Sequence, residues 1–470
     1  MVKEKRFYTV SYILLALISV LMLVVSLPRL KGNLNEFVGS EIIYFILVII
    51  PLVVIGDIAS IKINSRQISK KEKLSSIIAI WVAIILIFIF IIFTANHKSG
   101  DYNIYLSQWT SYYRSHSIND SLYSIVDVSN YAPAYNYILI LISRLPMYDL
   151  HLIKYVSFLF SILLAFMMCK IIAKIKKSDF NYALFVAFLL LPFILIEYSS
   201  WGQCDAIYTS LAITAFYFAL CKKSKLAFLF LGLSFIFKLQ FLFIVPIMFI
   251  LLIIKDEEGN HYLKWKDIWI PFAVYLINCI PVLVGRNLLD LLLVYVSQSG
   301  EDSRLSGDCA NICLIYYKYL HIESPTTAYY ILLCSHIAIT FAFLIFYLVL
   351  VFKNNKKKTF TLNDIIFWAF AFSFTMVFLM PKMLDRFYFI PACLSIIYMF
   401  AVGDRYSCIL GNITNLFFSI TLVFVSSSYI LRETMYVVML IFAIIDFIYL
   451  LFVIFSKYAK VLKKTNKKPT

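Results

Sequence analysis

From Tyr8 to Phe455 the chain alternates apolar runs of about twenty residues with short polar breaks. Wound as a helix, a run of that length covers the ~30 Å of hydrocarbon in a bilayer. Lipid offers no water to open backbone groups, so runs of this kind predict an all-α, polytopic integral membrane bundle. Candidate spans cover residues 8–27, 41–61, 74–95, 151–172, 181–197, 204–221 and 226–238. They continue over 240–254, 267–284, 326–352, 362–380, 387–403, 409–429 and 435–456. The count is about fourteen, which puts both termini in the cytoplasm.

Two segments decide that count. Pro133 to Tyr148 is apolar but short, and if it crossed, the basic runs at Lys174, Lys222 and Lys353 would all change sides. The positive-inside rule disfavours that, so an interfacial helix on the outer face is expected. Leu226 to Ile254, 29 residues or about 43 Å as one helix, is too long for one span and is interrupted at Lys238-Leu239-Gln240. Two short helices meeting at that break keep Lys353 to Lys358 inside.

Composition supports the membrane reading. Of 470 residues, 62% are hydrophobic and 14% charged, and the mean hydropathy of +0.87 excludes a soluble globular domain. The formal charge of +16 would suggest nucleic acid in a soluble protein. Here roughly two thirds of the Lys and Arg residues fall in the expected cytoplasmic segments, which topology explains, so no nucleic-acid partner is expected. The basic tail 457–470 and the richness in Ile, Lys and Asn suggest a bacterial plasma membrane. The nine cysteines show no CxxC pair and mostly sit in apolar runs, so no metal site is expected, although the spacing leaves a Cys309–Cys313 bridge open.

The chain reads as one integral domain, 1–470, with large outer segments at 96–150 and 285–325. The first begins Ser99-Gly100-Asp101-Tyr102 and runs on through Trp109, Tyr112, Arg114 and His116. Its aromatics suit interface anchoring. Asp101, at the outer end of a span, suits either a general base or a cap after the Gly turn. In Glu197 to Asp205, Trp201 offers a face for a sugar ring, and Gln203 and Asp205 offer hydrogen bonds; Asp205 also suits helix capping.

Lys238 is a cation inside an apolar run, with Gln240 beside it. It either lines a polar cavity, where it could meet a phosphate, or snorkels to the surface. Asp446 in the last span reads as a structural counterpart. Met380 to Tyr388 holds Lys382, Asp385 and Arg386 in a short outer turn; cations there call for an anion, a lipid phosphate or headgroups.

Taken together these clusters resemble the GT-C superfamily of multispanning glycosyltransferases that use polyprenyl-phosphate sugars. The similarity is greatest to the bacterial branch that includes mannosyltransferases. Its motifs are matched by Gly100-Asp101-Tyr102, Trp109 and Tyr131-Ala132-Pro133, by Trp201-Gly202-Gln203-Cys204-Asp205, and by Gly232 with Lys238-Leu239-Gln240. Leu305-Ser306 leading to Ala310-Asn311, and Pro381-Lys382-Met383 leading to Arg386-Phe387-Tyr388, complete the series. The family often has His-Glu-Arg where this chain has Leu384-Asp385-Arg386, so a role resting on that histidine is absent.

The resemblance implies Asp101 as the base of an inverting transfer on the outer face, from a polyprenyl-phosphate sugar to a glycan or glycolipid acceptor. Lys238, Arg386 and Lys382 would hold the donor phosphate, with Arg114 and His116 in reserve. Trp201, Gln203, Asp205, Gln240, Tyr131 and Asn311 would line the substrate site. No soluble cofactor is implied. Two other readings use the same cations: a transporter or flippase of lipid-linked glycans, and a glycan polymerase, which would favour outer arginines such as Arg286, Arg304 and Arg386.

Overall fold

In the computed structural model, residues 2–30, 41–283, 287–300, 303–355, 360–425 and 432–458 are described. Arg286, Lys356 to Lys358 and most of the basic tail lie outside them. The described chain is helical almost throughout, with one two-residue parallel strand pairing, Ser306–Gly307 with Met383–Leu384.

Among the described residues, eight helices are long and apolar enough to cross a bilayer. There are nine if Tyr182–Leu189 and Pro192–Trp201, bent by 57° at Leu190-Leu191, count as one. This fits a multi-pass membrane protein. The other expected spans fall on Val2–Leu30, where the described apolar stretch is Thr9–Val24, and on shorter helices: Asp205–Leu220, Ser224–Phe235, Val245–Ile253 and Ile270–Cys279. Twelve helical residues reach only about 18 Å, so a helix such as Ser224–Phe235 does not cross alone.

Local signals set the boundaries. Ser69 and Glu72 form a reciprocal capping box that starts helix Lys70–Thr94, and Thr361 and Asp364 form another for Leu362–Leu379. The latter helix is deeply enclosed, with every side chain from Ile365 to Leu379 buried. It packs between Thr327–Asn355 and Phe389–Val402. Asp446, inside the last long helix, accepts from Thr414 Oγ1 at 2.5 Å, so it has a structural partner across the bundle. Cys309 and Cys313 are buried free thiols.

The expected break at Lys238 is present. Ser224–Phe235 ends, Lys238 is extended, and a 3-10 turn Leu239–Phe243 leads into Val245–Ile253. Pro133–Ser143 is an eleven-residue helix, too short to cross, within a series of short helices that begins at Tyr102.

Gly232 explains its place in the pattern. A Cβ there would come within 2.8 Å of the Pro271 Cα and 3.0 Å of the Val274 Cβ, so its absence lets the helix that leads to Lys238 press against Ile270–Cys279. Gly232→Ala is expected to destabilise by about 1–3 kcal/mol through overpacking, read as a lower unfolding temperature of the detergent-purified protein. Gly100→Ala, whose Cβ meets nothing within 4 Å, serves as the silent comparison.

Candidate functional site

Four charged side chains from four distant segments meet in one chain of contacts. Arg386 Nη1 donates to Asp101 Oδ2, and Arg386 Nε lies 3.4 Å from Asp205 Oδ2. Lys238 Nζ donates to Asp205 Oδ1 at 3.0 Å. In this chain of contacts two carboxylates partner two cations, as apolar surroundings favour for buried charges, and the carboxyl groups of Glu197 and Asp385 lie close by.

The inner and outer ends of this chain differ. Lys238 and Asp205 are 2% and 0% exposed, whereas Arg386 and Asp101 are 11% and 22% exposed. The Lys238 ammonium also lies 5.5 to 5.9 Å from the ring centres of Tyr208, Tyr131 and Phe387, an aromatic enclosure that favours a cation. Snorkelling is therefore excluded, and the charge of Lys238 is met by Asp205 within the protein.

The capping alternatives fall away as well. The Asp101 side chain makes no cap hydrogen bond to the helical turn Tyr102–Leu106 that it precedes. Asp205 is the first residue of its helix, and its carboxylate serves Lys238 and Arg386.

Backbone anchors place these groups. Ser99 Oγ donates to the Trp201 carbonyl at 3.0 Å and accepts from Tyr102 N at 3.2 Å, joining the Asp101 segment to the 201–205 turn. Gly202 takes φ +64, and a Cβ there would sit 3.1 Å from Lys154 Cγ. The Arg386 turn is gripped from the 305–311 segment. Lys382 N donates to Leu305 O at 2.7 Å, and Asn311 Nδ2 to Met380 O at 3.0 Å. Tyr388 OH donates to Ala310 O at 3.0 Å.

The remaining candidates divide. Tyr131 joins the enclosure around Lys238, and burial pushes its phenol well above the usual range, so it remains neutral. Trp201 Nε1, Gln203 Oε1 and Gln240 Oε1 are buried with no hydrogen-bond partner among the described residues, as is Glu197 Oε1. Buried polar atoms of that kind are open to a ligand or water.

Four candidates are engaged elsewhere. Asn311 accepts from Leu314 N as well as holding Met380 O, so its role is in the scaffold. Arg114 pairs with Asp149 and donates to Leu145 O, and His116 stacks on Tyr112 with ring centres 4.0 Å apart. Lys382 lies over the Tyr329 ring at 5.7 Å.

Sequence reasoning passed over Lys154, although it carries the signal that marked Lys238, a cation inside an apolar run. It is fully buried and donates at 2.8 Å to each of the Thr94, Ala95 and His97 carbonyls. It thereby closes the end of helix Lys70–Thr94 and fixes the start of the segment that carries Asp101.

No protein-family model matches the chain, and no curated protein matches it.

Lys154→Met removes the ammonium from three carbonyls, of which Thr94 O keeps the His97 N–H, and a loss of about 3 kcal/mol is expected in thermal unfolding. His97 gives a pH test. Burial, and then the Lys154 charge, push it down to about 4 from 6.5. The unfolded chain therefore binds the extra proton between those values, and stability falls as pH drops from about 6.5 towards 4. His97→Asn is expected to flatten that part of the stability–pH curve.

Proposed function

We propose that the chain is an inverting glycosyltransferase of the GT-C kind. It moves one sugar from a polyprenyl-phosphate carrier to a cell-envelope glycan or glycolipid acceptor on the outer face of a bacterial plasma membrane. The observation that carries this reading is the convergence of Asp101 and Arg386. A partly exposed carboxylate and a permanent cation sit together at the outer end of a buried charge chain, amid aromatic rings and unpartnered polar atoms. A base and a phosphate holder are the two groups that such a displacement needs.

In the reaction, Asp101 takes the proton of an acceptor hydroxyl as its oxygen attacks the anomeric carbon. The bond from that carbon to the phosphate oxygen breaks on the opposite face, and the electron pair leaves with the polyprenyl phosphate. One base suffices, because the phosphate leaving group needs charge stabilisation more than a proton. Arg386 supplies that stabilisation directly. Lys238 is closed off by its aromatic rings and contributes by holding Asp205 against the guanidinium. Trp201, Gln203 and Gln240 offer a flat face and polar atoms to the sugars.

A flippase of lipid-linked glycans would need the cations but no base, which sets the test. Envelope glycans are compared between wild type, a deletion strain, and the deletion strain expressing Asp101→Asn at equal level. Both mutants are expected to lose the same single sugar while its polyprenyl-phosphate form accumulates. In purified protein, transfer by Asp101→Asn is expected to fall by about 10²–10⁴-fold. Full restoration by Asp101→Asn would remove Asp101 as the base and favour transport.

A further inference from the structure

Neither cation of the site is without a carboxylate partner. Lys238 is 2% exposed, ringed by aromatics and paired with Asp205, while the Nη1 of Arg386 is engaged by Asp101. Both cations already have a carboxylate partner, and Glu197 and Asp385 lie close enough to act on Arg386 as well, so an arriving phosphate meets a site in which carboxylates already hold the positive charge. The same pairing holds one oxygen of Asp101, Oδ2, against the guanidinium and so ties the carboxylate to Arg386.

The geometry decides which carboxylate yields. Asp205 is wholly buried, and Lys238 holds its Oδ1 at 3.0 Å. Its Oδ2 is 3.4 Å from Arg386 Nε, a contact that does not reach hydrogen-bond alignment and serves as a tether. Asp101 is 22% exposed and follows Gly100, beside which there is open space. Its carboxylate makes no cap bond to its own helical turn.

Resting on the glycosyltransferase reading, we infer that Asp101 and the donor phosphate compete for Arg386, so that donor binding itself releases Asp101 to act as the base. In the free protein the ion pair keeps the base masked. When the phosphate arrives, Arg386 turns its outer nitrogen to it while Asp205 and Lys238 keep the guanidinium in place. Asp101, now without its cation, accepts the acceptor's proton. Asp205 and Lys238 are positioning residues, and proton abstraction waits until the leaving group is seated.

The competition makes an unusual prediction: the variant that cannot transfer binds the phosphate more tightly. The probe is polyprenyl monophosphate without sugar, titrated into detergent-purified full-length protein at fixed salt. Asp101→Asn, which removes the internal competitor, is expected to lower Kd by about tenfold or more. Asp149→Asn removes an equal charge from the same segment, where it pairs with Arg114, and is expected to leave Kd at the wild-type value. Arg386→Gln is expected to abolish the gain, so that Asp101→Asn/Arg386→Gln binds no better than Arg386→Gln alone. Polyprenol, lacking the phosphate, should not discriminate between wild type and Asp101→Asn.

An unchanged or weaker Kd in folded Asp101→Asn, or a gain that persists without Arg386, would overturn the exchange. If Asp101→Asn does not fold, wild-type protein decides. Carbodiimide coupling of glycinamide to Asp101, read by mass spectrometry, is expected to rise several-fold when a short-chain alkyl phosphate saturates the site. No rise, or a fall, overturns the exchange.

The two readings fail separately. Tighter phosphate binding by Asp101→Asn in a protein that transfers no sugar keeps the exchange and discards the transferase. Transfer that depends on Asp101, with no change in phosphate affinity, does the reverse.

Discussion

The need to balance charge inside an apolar bundle organises this molecule. Asp205 and Lys238 are almost inaccessible, and neither could stay ionised there alone. Each neutralises the other, Arg386 is held between Asp205 and Asp101, and the network fixes how four separate segments meet. The same constraint is met differently at Lys154, where three backbone carbonyls supply the negative potential and a helix end is closed in the process. The charges of the site are located where the chain stops being regular: at the Lys238 break, at the Gly202 turn and at the turn before Phe389.

Residues of the recurrent pattern that carry no charge act through shape. Gly232 allows two helices to approach closely six residues before the chain breaks at Lys238. Ser306 and Asn311 belong to a segment that pairs with Met383–Leu384 and bonds the carbonyl of Met380, so the position of Arg386 is fixed from outside its own turn. Ser99 does the same for Asp101 through the carbonyl of Trp201.

The helical membrane class was legible because apolar run length is a property of the sequence itself. The break at Lys238 was legible because a cation and an amide carried straight through lipid in a continuous helix would be costly. The number of crossings was less so. Helices of nine to sixteen residues, such as Val245–Ile253 and Asp205–Leu220, read as spans by hydropathy, and only their lengths in the fold show how short they are. At the site, Asp101, Asp205, Lys238 and Arg386 were each recognisable as charges in costly places. Their mutual pairing was not, since nothing in local pattern joins residues so far apart. Arg114, His116 and Asn311 were selected for chemistry they could perform, but their partners Asp149, Tyr112 and Met380 are tertiary facts.

The distance between Asp101 and Arg386, 285 residues along the chain, also has a consequence for biosynthesis. A chain made from its amino end has Asp101, Asp205 and Lys238 in place long before residue 386 leaves the ribosome. Lys238 and Asp205, 33 residues apart, can satisfy each other early, while Asp101 must wait for its cation. A nascent chain cut short before Arg386 therefore carries an unmatched carboxylate at the mouth of its bundle.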